Sequence, residues 1–207
     1  MRTAGVILCG GQSSRMGRPK AWLPVGDETM LARVVRLLGG VVSPLVIVAA
    51  PEQELPPLAP EITVVRDPER GRGPLVGIAA GLSALVGKAD AAFVSSCDVP
   101  LLRPAFVRRM IDLLGDHVAC VPEVGGYRHP LAAVYRVEVA AVAAELLAAD
   151  RLRPAFLFDR VSTRVVRAED FADVDPDGES LRNLNTPEEY ERALALFASR
   201  LPFGTGQ

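Results

Sequence analysis

The sequence predicts an α/β fold of three layers, Rossmann-like, in which helices cover both faces of a mainly parallel sheet. Short apolar runs alternate with amphipathic segments through most of the 207-residue chain, the pattern expected of βαβ units. Two of the predicted helices begin at a proline, Pro74 and Pro104. Proline suits the first turn of a helix because the amide hydrogen it lacks would have no partner there.

The apolar runs in the first part of the chain are interpreted as strands. They lie at residues 4–9, 45–50, 63–66, 91–96 and 118–122. The segments between them predict helices at residues 29–38, 74–86 and 104–114. The proline-rich residues 53–60 are typical of a surface loop.

The alternation is less regular after Gly125. Residues 130–135 and 163–167 are interpreted as strands and residues 138–149 as a helix, and this part could include antiparallel pairing. The segment Thr186-Pro187-Glu188-Glu189 combines an N-cap hydroxyl, a first-turn proline and a capping-box glutamate, so a last helix should run to about Arg200. We expect one domain over residues 1–200 and a disordered tail at residues 201–207.

Composition narrows the classes of function. Apolar residues make up 49% of the chain, and 23 basic residues stand against 25 acidic ones for a net charge of -2. This balance gives no overall field for attracting nucleic acid, so a small-molecule substrate is favoured. No apolar run reaches the ~18 residues of a membrane span, and the first run is too short for a signal peptide. We therefore expect a cytoplasmic protein, whose three cysteines, Cys9, Cys97 and Cys120, are buried free thiols.

A glycine-rich segment with three cationic residues directly follows the first predicted strand. It reads Gly10-Gly11-Gln12-Ser13-Ser14-Arg15-Met16-Gly17-Arg18-Pro19-Lys20. Glycines let backbone amides approach phosphate oxygens, and the serines, Arg15 and Lys20 add donors and positive charge. The segment matches neither the Walker pattern nor the dinucleotide fingerprint. Lys20 is one of only two lysines in the chain, and a lysine kept beside a glycine segment indicates phosphate binding.

Two carboxylates also follow predicted strands. Asp98 comes after the strand at residues 91–96, and Asp67 comes after the strand at residues 63–66. Because the carboxyl ends of parallel strands share one edge, we expect both to face the same crevice as the glycine segment. Asp98 is the candidate ligand of Mg²⁺, expected to be exposed in that crevice, although it could also start the next helix. Asp67 before Pro68 could equally be a turn residue.

Six segments together allow a family to be recognised. They are Gly10-Gly11-x-Ser13-Ser14-Arg15-Met16-Gly17-x-x-Lys20, Asp67, Gly73-Pro74-Leu75-x-Gly77-Ile78, Cys97-Asp98-Val99-Pro100, His129-Pro130-Leu131-Ala132-Ala133-Val134-Tyr135 and Asn183-Leu184-Asn185-Thr186-Pro187-Glu188. In content and order they resemble the molybdenum cofactor guanylyltransferase family over nearly the whole chain. The resemblance implies a nucleotidyltransferase fold, Mg²⁺, and transfer of GMP from GTP to the phosphate of molybdopterin or Mo-molybdopterin with release of pyrophosphate. It also implies molybdenum cofactor insertion proteins as candidate partners.

The resemblance assigns roles to individual residues. Arg15, Lys20 and Asp98 would be catalytic, with Asp98 holding the metal and Asp67 near the nucleoside. The nucleotide-binding residues would be Leu8, Gly10, Gly11, Ser13, Ser14, Lys20, Asp67 and Asp98. Asn183 and Asn185 would lie on the pterin side. His129 and Cys97 receive no catalytic role, because a phosphate monoester is already a nucleophile and needs positioning and charge neutralisation.

One residue departs from the family pattern. Pro19 stands before Lys20, where the family usually has an acidic or small residue. Proline at this position also occurs in relatives that transfer cytidylyl groups to sugar alcohols or to molybdopterin. A cytidylyltransferase is therefore the alternative enzyme, and a non-catalytic nucleotide-binding regulator is the alternative outside enzymes.

Overall fold

A computed structural model describes residues 1–10, 18–67 and 71–200, with side chains as far as residue 197. The strands are β1 Thr3–Leu8, β2 Pro24–Val25, β3 Glu28–Thr29, β4 Leu45–Ala49, β5 Thr63–Arg66, β6 Ala91–Ser96, β7 Ala119–Val124, β8 Tyr127–Arg128, β9 Ala132–Arg136 and β10 Thr163–Val166. The α-helices are α1 Met30–Gly39, α2 Pro74–Ser83, α3 Pro104–Leu114, α4 Val139–Ala148, α5 Ala155–Phe158 and α6 Pro187–Arg200.

The described residues form one large sheet in the order β10-β7-β9-β6-β1-β4-β5, with the short β8 paired to β7. Neighbours β6, β1, β4 and β5 are all parallel, and β10 is parallel to β7. Strand β9 lies antiparallel between β6 and β7. The expected mainly parallel sheet is confirmed, and the antiparallel pairing falls after Gly125, as the looser sequence pattern indicated.

Two apolar clusters on opposite faces of the sheet make the fold three-layered. Along β1, Val6 and Leu8 pack with α2 and α4 on one face, while Ile7 packs with α1 and α3 on the other. This follows from the period of two along a strand, which sends successive side chains to opposite faces. The predicted α/β/α arrangement is therefore confirmed.

Helix α2 approaches the centre of the sheet closely because it carries two glycines on its inner face. A Cβ at Gly77 would lie 3.1 Å from the Leu8 methyls, and one at Gly81 would overlap Val6. Larger residues here would push α2 away from β1. The N-terminus of α2 is thereby held over the end of β1, where the glycine-rich segment begins.

The C-terminal helix has the predicted start. Thr186 Oγ1 accepts the Glu189 amide at 3.2 Å, and Glu189 Oε2 accepts the Thr186 amide at 3.1 Å, which is the reciprocal capping box. Beyond this helix, the predicted tail at residues 201–207 lies outside the described residues. None of the helices in the described part of the chain is long and apolar enough to cross a membrane.

Several short elements were not predicted, and one helix is shorter than expected. The hairpin of β2 and β3, the strand β8 and the four-residue α5 are too short to show a hydrophobic period. Helix α2 ends at Ser83, three residues before the predicted end at Val86. The cysteines are free and buried, as expected.

Candidate active site

The candidate site lies at the carboxyl edge of the sheet, between β1 and β6. The chain passes from β1 to β4 and β5 on one side and then returns to β6 on the other, so the strand order reverses here. Such switch points are where open α/β sheets bind ligands. Leu8 is paired with Ser96, and the Cys97 amide donates to the Leu8 carbonyl at 3.0 Å. The starts of the glycine segment and the Asp98 segment are therefore neighbours.

Asp98 lies at the centre of this site and is nearly fully buried, with 6% of its surface exposed. Its Oδ2 accepts a hydrogen bond from Lys20 Nζ at 2.6 Å. Its Oδ1 accepts bonds from Asn183 Nδ2 at 2.7 Å and from the Ser96 hydroxyl. The expectation of an exposed carboxylate is wrong, because a segment 85 positions later folds back over it.

Lys20 links the carboxylate to the C-terminal segment. It begins a short 3₁₀ helix, Lys20–Trp22, whose Ala21 is buried. Besides Asp98, its ammonium donates to Asn185 Oδ1 at 2.8 Å. The Lys20 side chain is 17% exposed and that of Asp98 is 8% exposed. In so little water the attraction between the two charges is strong, and the pair is fixed in place.

Asn183 and Asn185 reach the site because the residue between them is anchored. The Leu184 amide donates to the Asp98 backbone carbonyl at 2.9 Å. The Leu184 side chain packs with Leu23, Leu101 and Ala193 in a third apolar cluster. The two asparagine side chains are thus held against Asp98 and Lys20. The structure brings four of the predicted site residues into one hydrogen-bonded group: Lys20, Asp98, Asn183 and Asn185.

The predicted nucleotide segment is described at its two ends. Gly11, Ser13, Ser14 and Arg15 lie outside the described residues. Leu8 is buried at the end of β1, and Gly10 after it is exposed. The start of the glycine-rich segment, at Gly10, therefore lies at the carboxyl edge of the sheet and is exposed there.

Asp67 lies at the same edge but away from Asp98. It follows β5, which is three strands from β6 in the sheet. At about 4.8 Å per strand, this places the two aspartates roughly 14 Å apart across the sheet. Within the described ranges, no group of three His, Cys, Asp or Glu residues could hold a metal ion. The two carboxylates thus do not form a joint metal cluster.

Gln53 is a site-edge residue that the sequence did not reveal. Its Nε2 donates to the Cys9 carbonyl at 3.1 Å, and its Oε1 accepts the Ala50 amide at 3.1 Å. Gln53 therefore bridges the ends of strands β1 and β4, where the two strands diverge. Arg66 Nη1 also donates to the Ala50 and Gln53 carbonyls, at 3.1 and 2.7 Å. Nothing in a proline-rich loop sequence could have indicated this bridge.

Two side chains have pKa values shifted by their surroundings, and the absence of a catalytic role for His129 and Cys97 stays a prediction. Burial lowers the pKa of His129, which is half-buried. A hydrogen bond with Cys97, together with burial, raises the pKa of the Cys9 thiol well above its usual range. A thiol with a raised pKa is a poor nucleophile because little thiolate forms.

Comparison with known proteins places this geometry in a family. The profile of the MobA-like NTP transferase domain matches residues 5–163. A probable molybdenum cofactor guanylyltransferase of Mycobacterium avium is 36% identical over 199 residues, which cover 94% of this chain and 96% of the relative. A molybdenum cofactor guanylyltransferase of Desulfosudis oleivorans is 35% identical over 193 residues, covering 92% and 94%.

Two solved structures have the same fold. The molybdopterin-guanine dinucleotide biosynthesis protein A from Archaeoglobus fulgidus has a TM-score of 0.77 at 20% identity, covering 96% of this chain and all of the other. The 2-C-methyl-D-erythritol 4-phosphate cytidylyltransferase from Thermus thermophilus has a TM-score of 0.69 at 16% identity, covering 94% and 98%. The resemblance seen in the sequence motifs is confirmed: the chain belongs to the MobA-like NTP transferase domain family.

Proposed function

We propose that this chain transfers GMP from GTP to the phosphate of molybdopterin or Mo-molybdopterin, releasing pyrophosphate and forming the guanine dinucleotide form of the molybdenum cofactor. One observation carries the proposal: Lys20, Asp98, Asn183 and Asn185 are joined by hydrogen bonds at the switch point of the sheet. The relatives named as molybdenum cofactor guanylyltransferases support the choice of substrates.

The site divides into a nucleotide part and an acceptor part. We assign the triphosphate and nucleoside to the β1, β4 and β5 ends, with Asp67 near the nucleoside. The residues that would hold the nucleotide are Leu8, Gly10, Gly11, Ser13, Ser14, Arg15 and Lys20. The acceptor would enter from the side of Asn183 and Asn185, so its phosphate would meet the α-phosphorus near Lys20.

The residues around Asp98 fit a magnesium ion that takes most of its ligands from phosphate and water. They offer one carboxylate, with the amide oxygens of Asn183 and Asn185 and the Ser96 hydroxyl nearby. Mg²⁺ typically uses one or two carboxylates plus substrate phosphates. When bound, the ion would neutralise phosphate charge. Since Lys20 donates to Asp98 Oδ2, its ammonium would lie beside the metal and the triphosphate.

The chemistry is a displacement at the α-phosphorus. An oxygen of the acceptor phosphate forms a bond to the α-phosphorus of GTP, the bond to the bridging α–β oxygen breaks, and pyrophosphate leaves. No side chain has to remove a proton, since the acceptor phosphate is already an anion. The protein contributes alignment and positive charge from Lys20 and Arg15. Because the proposed reaction uses a nucleoside triphosphate, we place it in the cytoplasm. The proposed recipients of the finished cofactor are molybdenum cofactor insertion proteins.

A cytidylyltransferase remains the alternative because of two observations. Pro19 is the departure from the family pattern that the sequence resemblance links to cytidylyl transfer, and a cytidylyltransferase from Thermus thermophilus shares the fold. Guanine offers N1–H and N2 amine donors and an O6 acceptor, so a site built for it leaves polar groups unpaired with cytosine.

Calorimetric titration with the magnesium complex of each triphosphate distinguishes the two activities. We expect GTP to bind at least ~10-fold more tightly than CTP or ATP, a difference of about 1.4 kcal/mol. Equal or tighter binding of CTP would move the protein to the cytidylyl branch. The phosphate and metal assignments would still stand.

A further inference from the structure

An ionic cluster of two buried carboxylates and a partly exposed arginine ties the C-terminal segment to the start of α3. It consists of Arg103, Asp175 and Glu179, and we call it the Arg103 cluster. Arg103 Nη2 and Nε donate to Glu179 Oε2 at 2.7 and 3.1 Å, and Arg103 Nε lies 3.4 Å from Asp175 Oδ1. Asp175 is 1% exposed and Glu179 is 2% exposed. The segment lies beyond residue 163, where the match to the family profile ends.

Stability alone is a weak reason for such a cluster. Two buried carboxylates share one guanidinium, and removing charges from water is costly. Asp175 offsets part of this cost by accepting the amides of Glu179 and Ser180, both at 2.9 Å. An apolar contact would anchor the segment at lower cost. The hydrogen bonds of the Arg103 cluster have fixed directions, so they prevent the C-terminal segment from sliding along α3.

The geometry is fixed next to the active site. The Arg103 amide donates to Ser180 Oγ at 3.0 Å, and the Leu184 amide donates to the Asp98 carbonyl at 2.9 Å. The short stretches 98–103 and 180–184 are thus joined at both ends. Asn183 lies inside this frame, with its Nδ2 on Asp98 Oδ1 at 2.7 Å. A shift of the segment would therefore move the asparagine away from the carboxylate.

We propose that Arg103, Asp175 and Glu179 are positioning residues that hold Asn183 against Asp98, so that the carboxylate points correctly for the metal and triphosphate. The inference rests on the proposed function, because it takes Asp98 as a metal ligand. It assigns no contact with substrate to the cluster itself. Loss of the cluster should weaken metal-dependent nucleotide binding and leave metal-independent binding unchanged.

The test is a double-mutant cycle between Glu179→Gln and Asn183→Ala, with nucleotide affinity measured by calorimetry in the presence of Mn²⁺ or of EDTA. Glu179→Gln should weaken binding of Mn²⁺·GTP roughly tenfold, as is typical of residues that orient a metal ligand. Binding of GTP in EDTA should change less than about twofold, since only contacts through the metal are lost. In the Asn183→Ala background, Glu179→Gln should have no further effect, because both changes act through one contact.

The matched control is Asp173→Asn. Arg109 Nη2 donates to Asp173 Oδ2 at 2.6 Å, so this pair also joins α3 to the same segment, but its carboxylate side chain is 62% exposed. The control should leave both affinities unchanged. If Glu179→Gln does not fold by circular dichroism, Arg103→Lys takes its place in the cycle.

Three results would overturn the inference. They are equal weakening of binding with Mn²⁺ and with EDTA, full additivity with Asn183→Ala, and no effect of metal on nucleotide binding in the wild type. A failure of the guanine assignment is separate, since the wild type would then bind Mn²⁺·CTP more tightly. The same cycle would be measured with that nucleotide.

Discussion

Lys20→Met tests whether the buried ion pair is both a structural and a catalytic element. Methionine keeps an unbranched apolar chain and removes the ammonium. The Lys20–Asp98 pair has a 2.6 Å contact, and its side chains are only 17% and 8% exposed. Removing one partner of a buried pair typically costs about 3–5 kcal/mol, because the other charge stays buried. Asp98 keeps its bonds from Ser96 and Asn183, so we expect a loss of about 2–3 kcal/mol in the free energy of unfolding.

The effect on turnover should be larger than the effect on binding. If the Lys20 ammonium stabilises the charge that develops on the triphosphate, its removal should lower kcat by about 10²–10³ and change KM for GTP little. Urea unfolding followed by circular dichroism measures the stability, and pyrophosphate release measures the turnover. Lys88→Met is the matched control, since Lys88 is the other lysine of the chain and is exposed. A change in KM alone would show that Lys20 binds GTP without stabilising the transition state. An unchanged free energy of unfolding would show that the buried Lys20–Asp98 pair does not stabilise the fold.

Three further predictions follow from the same structure. Asp98→Ala should nearly abolish turnover, and near-normal turnover would remove Asp98 from the mechanism. It should also lower the free energy of unfolding by about 2–4 kcal/mol, because the Lys20 ammonium stays largely buried without its carboxylate and Ser96 and Asn183 lose their acceptor. Because burial lowers the pKa of His129 in the folded state, the unfolded chain takes up protons first, so stability should fall as the pH drops below about 6.5. In His129→Gln the pH slope of urea unfolding should be smaller, and an unchanged slope would contradict the reasoning. Burial raises the pKa of the Cys120 thiol to about 12. Ellman's reagent at pH 8 should therefore leave Cys120 unmodified in the native protein and modify it after unfolding. Fast reaction of Cys120 in the native protein would show that the thiol is not buried.

Features of the fold that depend on residues close together in the sequence could be predicted. Helices α2 and α3 begin at Pro74 and Pro104, and α6 follows the capping box of Thr186. Each signal acts within four residues, so the local sequence contains it. The short apolar runs likewise identified the buried strands β1, β4 and β6. The less regular pattern after Gly125 left room for antiparallel pairing, which β9 shows.

Features that depend on contacts between residues far apart in the sequence could not be predicted. Asp98 was expected to be exposed, and its cover by Asn183 comes from 85 positions away. Asp175 and Glu179 lie in an acidic run that resembles a solvated loop, yet both are buried by their bonds to each other and to Arg103. The roles given to the site residues stay predictions, including those of Gly11, Ser13, Ser14 and Arg15, which lie outside the described residues.

The most direct test of the proposed function is a transfer reaction in which the nucleotides compete. The purified protein is mixed with Mo-molybdopterin, Mg²⁺ and equal concentrations of GTP and CTP, and the products are separated and identified by mass spectrometry. We predict the guanine dinucleotide of the cofactor together with an equal amount of pyrophosphate, and no guanine product from the Asp98→Ala variant. A cytosine dinucleotide as the main product, or no dinucleotide at all, would contradict the account.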